Sequence, residues 1–269
     1  RFTPPQWSAE ELTNTGGRPL GLHIDANDHL IIADAIKGLL RWNGTHTDVL
    51  TTTCGGTPLV FTDDLDVAAS GAIWFSDASS KFPVTEWELD ILESRPNGRL
   101  CRYVPQTGVT EEILSSLYFA NGVAIDPEQR FVLVNETSRY RVRRYWLTGS
   151  RAGTHDIILD NLPGFPDGIS AGENGIFWLP LASPRNAIID LLAPWPFLRS
   201  MVVRLPSALH PAPERTLQII GMDANGHVLH HFADVNSPGF TTATSVQQAG
   251  DWLYVGSLSS PNFARLAVP

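Results

Sequence analysis

Short alternations of apolar and polar residues run through the chain, and they return in the same order several times. In residues 21–42, Leu22 and Ile24 alternate with His23 and Asp25, a polar turn follows, and a second apolar run covers residues 30–33. After Gly38 comes a third run, Leu39-Leu40-Arg41-Trp42. Alternation broken by turns of this kind predicts a meander of antiparallel strands. The phrase recurs at residues 65–67 and 73–77 with 98–103, at 122–126, 131–134 and 141–145, and at 168–170 and 176–179. Residues 219–220 and 228–232 read as the closing hairpin of that fourth copy, and a fifth covers 244–246, 252–256 and 264–267. The shorter intervals between copies are about 45 residues, the length of a four-stranded propeller blade. A β-sandwich, the competing all-β arrangement, has no such fixed period.

Two insertions break the β pattern. Residues 86–94 pair Trp87 with Ile91 and Leu89 with Leu92 at helical spacing. Residues 186–205 are strongly apolar, and Pro194 and Pro196 divide them into two short helical pieces rather than one. Such insertions are expected either to fill packing space or to form a lid over one face, where long connections carry function.

Composition narrows the functional classes. The chain has 269 residues, 43% hydrophobic and 17% charged, enough for a core within one domain spanning residues 1–269. Its formal net charge of −9 argues against nucleic acid or an anionic membrane as the main partner. No apolar run reaches the ~18 residues of a transmembrane helix. Residues 1–7 carry no signal-peptide pattern, so localisation stays open. Cys54 and Cys101 are too few for a disulfide framework or a cysteine-based metal site. They can pair only if the fold brings them together.

Several phrases taken together resemble the strictosidine-synthase-like family, the group that includes adipocyte plasma-membrane-associated protein. They are Gly17-Arg18-Pro19-Leu20-Gly21-Leu22, Phe61-Thr62-Asp63-Asp64-Leu65-Asp66-Val67, Trp74-Phe75-Ser76-Asp77, Arg95-Pro96-Asn97-Gly98-Arg99-Leu100, Phe119-Ala120-Asn121-Gly122-Val123, Leu162-Pro163-Gly164-Phe165-Pro166-Asp167-Gly168 and Leu253-Tyr254-Val255-Gly256-Ser257. The likeness spans residues 17–268. It implies a six-bladed propeller within a superfamily of calcium-dependent lactonases and phosphotriesterases. Five blade starts are visible, and residues 1–15 are too short for another, so the first blade is expected to be missing from this chain.

The same resemblance implies a calcium ion in the central channel, with Asp63, Asn121 and Asp167 as ligands from three successive blades. Oxygen donors of this type suit calcium, which takes about 6–8 of them. The related enzymes add a Glu from the first blade, for which no counterpart is visible. Asp or Asn before Gly is also ordinary turn chemistry, which describes Asn121 and Asp167 equally well. With calcium present, Asp167 or Asp63 serves as base or nucleophile in hydrolysis of a lactone or small ester. A non-catalytic propeller that binds a ligand or protein is the alternative. Strictosidine synthase itself joins an amine to an aldehyde with a Glu on the last inner strand. The matching residues 243–248 contain no carboxylate, so condensation is the weakest reading.

Other constellations carry less. His230 and His231 point to opposite faces of one strand and do not share a metal. Gly168-Ile169-Ser170-Ala171-Gly172 spells a nucleophile elbow without the required strand-to-helix turn, which argues against Ser170. Asn43 and Asn135 open glycosylation triplets. Arg141, Arg143 and Arg144 read as a solvated basic edge.

Overall fold

The computed structural model describes residues 2–3, 7–205, 214, 216–234 and 240–269. Among these residues, apart from two two-stranded ribbons (Phe2–Thr3 with Ser8–Ala9, and Thr53–Cys54 with Thr57–Pro58), the strands form five successive antiparallel sheets, each built in chain order from the innermost strand outward. The first comprises Pro19–Ile24, Leu30–Asp34, Gly38–Trp42 and Thr47–Thr51. The second comprises Thr62–Val67, Ile73–Asp77, Gly98–Val104 and Val109–Leu117, and the third Ala120–Ile125, Phe131–Glu136, Arg141–Trp146 and His155–Leu159. In the fourth, the inner edge is split into Gly164–Pro166 and Ser170–Ala171, followed by Phe177–Pro184, Leu217–Met222 and Val228–Asp234. The fifth has three strands, Ala243–Ala249, Trp252–Ser257 and Ala264–Ala267. The fold is an all-β propeller with five blades, where the family resemblance implied six.

Blade stacking explains a residue choice in the repeat. Inner strands of neighbouring blades come so close that a side chain has no room. A Cβ on Gly122 would lie 2.5 Å from the backbone of Asp167, Gly168 and Ile169. One on Gly168 would lie 2.7 Å from the Thr244 carbonyl, and one on Gly21 within 2.7 Å of Asp64. The Gly122 N–H donates to the Asp167 carbonyl at 3.0 Å, and the Gly168 N–H to the Thr244 carbonyl at 2.9 Å. The recurring glycine is thus the point where one blade docks on the next.

A second recurring device sits at the end of the second strand. Asp34 accepts the N–H groups of Arg18, Ile36 and Lys37, each at 2.9 Å, and the Thr15 hydroxyl at 2.7 Å. Asp77 accepts the Phe61 N–H at 2.8 Å and pairs with buried Arg99. Glu136 accepts the Tyr118 N–H at 3.1 Å and pairs with Arg141 at 2.6 Å and Arg143 at 2.9 Å. Each acid therefore ties down the loop that enters its own blade's inner strand. The Arg141–Arg144 run is consequently not a solvated edge. Two of its members neutralise fully buried Glu136, and Arg144 pairs across the sheet with Asp156 at 2.8 Å.

Apolar faces fill the spaces between blades. Phe131, Phe177, Leu133 and Leu179 pack between the third and fourth blades, and Phe75, Leu39 and Ile31 between the first and second. The two cysteines meet: Cys54, in a short hairpin after the first blade, is disulfide-bonded to Cys101 on the third strand of the second. Trp7 packs on Tyr254 and Phe263 of the fifth-blade region, while Thr13 and Thr15 bond Thr47 and Asp34 of the first. Residues 7–15 thus run from the last blade to the first.

Three short helices interrupt the sheets, as the insertions predicted: α1 (Trp87–Glu93), α2 (Ala187–Leu192) and α3 (Pro196–Val203). Pro196 opens α3, where its missing N–H costs nothing. Asn186 caps α2 by accepting from Ile188 and Ile189. Buried Arg199 of α3 donates to the last carbonyls of α1, Leu92 at 2.7 Å and Ile91 at 2.9 Å, fastening the helices to one another.

Candidate active site in the central cavity

A cavity of about 1190 Å³ runs where the inner strands converge. Its upper wall is apolar. Phe61 and Phe119 meet edge to face at 5.6 Å, and Trp87, Ile91 and Leu92 of α1 and Ile189 of α2 close over them. None of α3 lines the cavity; Trp195 and Phe197 stay 61% and 75% exposed. The helices cover the cavity unequally, with α1 contributing most.

The floor is acidic. Asp63, Asn121 and Asp167 all line it, brought together from the second, third and fourth blades. Asn121 lies within an inner strand and Asp167 between the two inner pieces of blade four, so neither serves as a hairpin turn. The backbone of Asp167 is clamped. Its N–H donates to Pro180 at 3.1 Å, and its carbonyl accepts from Gly122 and from the Asn135 amide at 2.6 Å. That fixes the direction of the side chain, which faces the Asn121 amide.

Electrostatics sets this floor apart. Burial, and then the charges of Asp167, Asp64 and Asp77, push the Asp63 carboxyl well above the usual carboxylate range. Burial raises Asp167 to about 7, opposed by the Asn121 amide and reinforced by Asp64. Burial raises Asp64 to about 7 as well, against hydrogen bonds from Val123 and Leu65. Among the described residues, no Lys or Arg pairs with Asp63 or Asp167. Burial is the main cause in each case, and for Asp63 and Asp167 no Lys or Arg offsets it.

A cation fits this floor in donor type, since two carboxylates and an amide oxygen are hard ligands. The set is small. Among the described residues no group of three or more His, Cys, Asp or Glu is arranged to hold a metal ion. The last inner strand adds Thr244, Ser245 and Gln247 to the cavity wall, and no carboxylate.

Two features escaped the sequence pattern. Asp64 and Asp66, alternate residues of one strand, accept the N–H groups of Val123 at 2.9 Å and Ile125 at 2.7 Å from the neighbouring inner strand. The Asp66 carboxylate also lies 3.1 Å from His23 Nδ1, and both line the cavity. The alternation Asp64-x-Asp66 on an inner strand was the available signal, but the partners belong to other blades. Ser170 is no nucleophile, because its hydroxyl donates to the Val246 carbonyl at 2.5 Å. His230 stacks on Trp178 at 5.6 Å while His231 stays exposed, so they do not form a pair.

The family profile described as strictosidine synthase matches residues 63–150. Strictosidine synthase-like 6 of Arabidopsis thaliana is 34% identical over 260 residues, covering 96% of this chain and 68% of that protein. Adipocyte plasma membrane-associated protein of Bos taurus is 33% identical over 263 residues, covering 93% and 64%. Among solved structures, a gluconolactonase from Xanthomonas campestris superposes with a TM-score of 0.64 at 18% identity, covering 93% of this chain and 72% of that one. A calcium-binding protein, regucalcin, from Agrobacterium tumefaciens superposes with a TM-score of 0.60 at 14% identity, covering 90% and 69%. At these identities the structural likeness concerns the fold.

Proposed function

The chain belongs to the strictosidine-synthase-like family, and from that premise we propose that its central cavity hydrolyses a lactone or small ester, with Asp63, Asn121 and Asp167 around a calcium ion. The observation that carries this reading is the pair of uncompensated acids, Asp63 and Asp167, facing one cavity under an apolar wall. In this reading the three side chains would hold the cation, which would supply Lewis acidity toward the substrate carbonyl. Asp167, steadied by Asn121, takes a proton from the water that attacks the carbonyl carbon. As the C–O bond breaks, Asp167 returns that proton to the departing alkoxide, so one water is consumed and an acid and an alcohol result. Phe61, Phe119 and Trp87 shield the reacting group from bulk solvent. The lactonase and calcium-binding neighbours support the reading at the level of fold.

The test is a panel of lactones and aryl esters assayed with calcium and with chelator. Turnover is expected only with calcium, and is lost in Asp167→Ala. A melting temperature unmoved by calcium and chelator alike would sink the cation. The small donor set favours a second reading, in which the same cavity binds a small molecule without chemistry. Ligand binding in the absence of turnover across the panel would select it. The last inner strand supports neither a carboxylate acid–base nor amine–aldehyde condensation.

A further inference from the structure

A second cavity of about 240 Å³ lies behind the first, and Ile189 lines both. Its walls carry Ser138, Arg139 and Tyr140 from the turn after the third blade's second strand, Arg185 and Asp190 from the lid segment, and Arg199 from α3. Three guanidinium groups face one carboxylate. Asp190 pairs with Arg185 at 3.2 Å and also attracts Arg199, so one acid serves three cations. Arg199 is 6% exposed; burial disfavours its charge, Tyr140 and Asp190 oppose that, and Arg139 adds to it. Arg139 lies over the Tyr118 ring at 4.1 Å and, among the described residues, has no hydrogen bond or ion pair.

Two further groups point to a ligand. Ser138 and Tyr140 are 7% and 6% exposed, and the hydroxyl of each lacks a hydrogen-bond partner. Asp190 and Arg185 lie close to the Tyr140 phenol, yet neither completes a hydrogen bond of normal geometry with it. Buried hydroxyls are ordinarily satisfied, because a hydroxyl taken out of water without a new partner loses its hydrogen bond outright. Two hydroxyls without hydrogen-bond partners beside three guanidiniums that share one carboxylate form a cradle for negative oxygen.

We propose that this cavity binds a small oxyanion, a phosphate or carboxylate group, that bridges Arg139 on the blade to Arg199 on the lid. The ligand accepts from the Ser138 and Tyr140 hydroxyls and neutralises the facing arginines. Because Arg199 also holds the end of α1, occupancy fastens the lid to the third blade. The site is separate from the acidic floor and does not depend on the hydrolase reading.

The test is calorimetric titration and thermal melting with inorganic phosphate and with acetate, in chelator and at ionic strength held constant with chloride. A saturable heat and a rise in melting temperature with either anion, beyond that with chloride, are expected. A stronger response to phosphate assigns a phosphate group, and the reverse a carboxylate. Exposed Arg139 can be changed without disturbing the core, and Arg139→Gln is expected to weaken binding about tenfold, the loss of one charge-assisted bond. Ser138→Ala weakens it less, and Asp167→Ala leaves it unchanged. Equal responses to all three anions, or unchanged binding in Arg139→Gln, would overturn the proposal.

Discussion

Two sets of acids occupy recurring positions in the blades, and they differ in the partners that meet them. Asp34, Asp77 and Glu136 end the second strands, and each is met by backbone N–H groups, with arginines added on Asp77 and Glu136. Burial alone would push Asp34 up, but the N–H of Arg18 and the Thr15 hydroxyl hold it below the usual range. Asp63 and Asp167, on the inner edges, have no such counter-charge and sit above it. The first set turns carboxylates into fasteners for incoming loops. The second leaves acids without a basic partner beside a cavity, the arrangement expected of a functional site.

The largest effect should come from the inner set. Asp167→Ala is expected to lower hydrolysis of a responsive lactone about 10²–10⁴-fold, the usual contribution of a positioned acid–base group. The fold should survive, as circular dichroism would show, and a variant retaining full turnover would remove Asp167 from the chemistry. Among the outer set, Glu136→Ala leaves Arg141 and Arg143 without their acid. Stability should drop by about 3–5 kcal/mol, read by denaturant titration. A loss below about 1 kcal/mol would show that the two sets are not different in kind.

Gly122→Ala probes the contact on which the floor depends. The added methyl meets backbone on the next blade, so a loss of about 1–3 kcal/mol is expected, together with a fall in activity from displacement of Asp167. The last effect is a pH dependence. Asp64 and Asp167 have folded values near 7, raised above the unfolded 3.8. Their neutral forms favour the fold, so this contribution is complete below about pH 4 and is lost as pH rises through 7. In chelator the melting temperature should fall between pH 5 and pH 8, and calcium should raise it more at pH 8. Asp167→Asn should flatten the profile, and an unchanged slope would assign the dependence elsewhere.

Much of the fold was legible because a blade is a local object. The alternations at residues 30–33, 73–77 and 131–134 fall within observed second strands, and Pro194 and Pro196 did separate two helices. Asp63, Asn121 and Asp167 could be singled out because the family resemblance implies ligands at these matched blade starts. His23 with Asp66 could not, since the two belong to different blades and meet only when those blades stack. The arginine run misled for a related reason. Alternate charges on a strand look solvated until Glu136 is placed opposite Arg141 by the register.

The amino-acid order by itself determined the class of the chain: repeated meanders, turns at glycine and polar residues, short helical insertions and an acidic balance. These follow from side-chain periodicity and backbone preference, which act over a few residues and need no distant partner. Only the tertiary structure decided how the five visible blades stack, that Cys54 meets Cys101 across 47 residues of sequence, and which acids are neutralised. A carboxylate's charge state depends on what lies within a few ångströms of it. That neighbourhood is set by how blades pack on one another, which the local pattern does not encode.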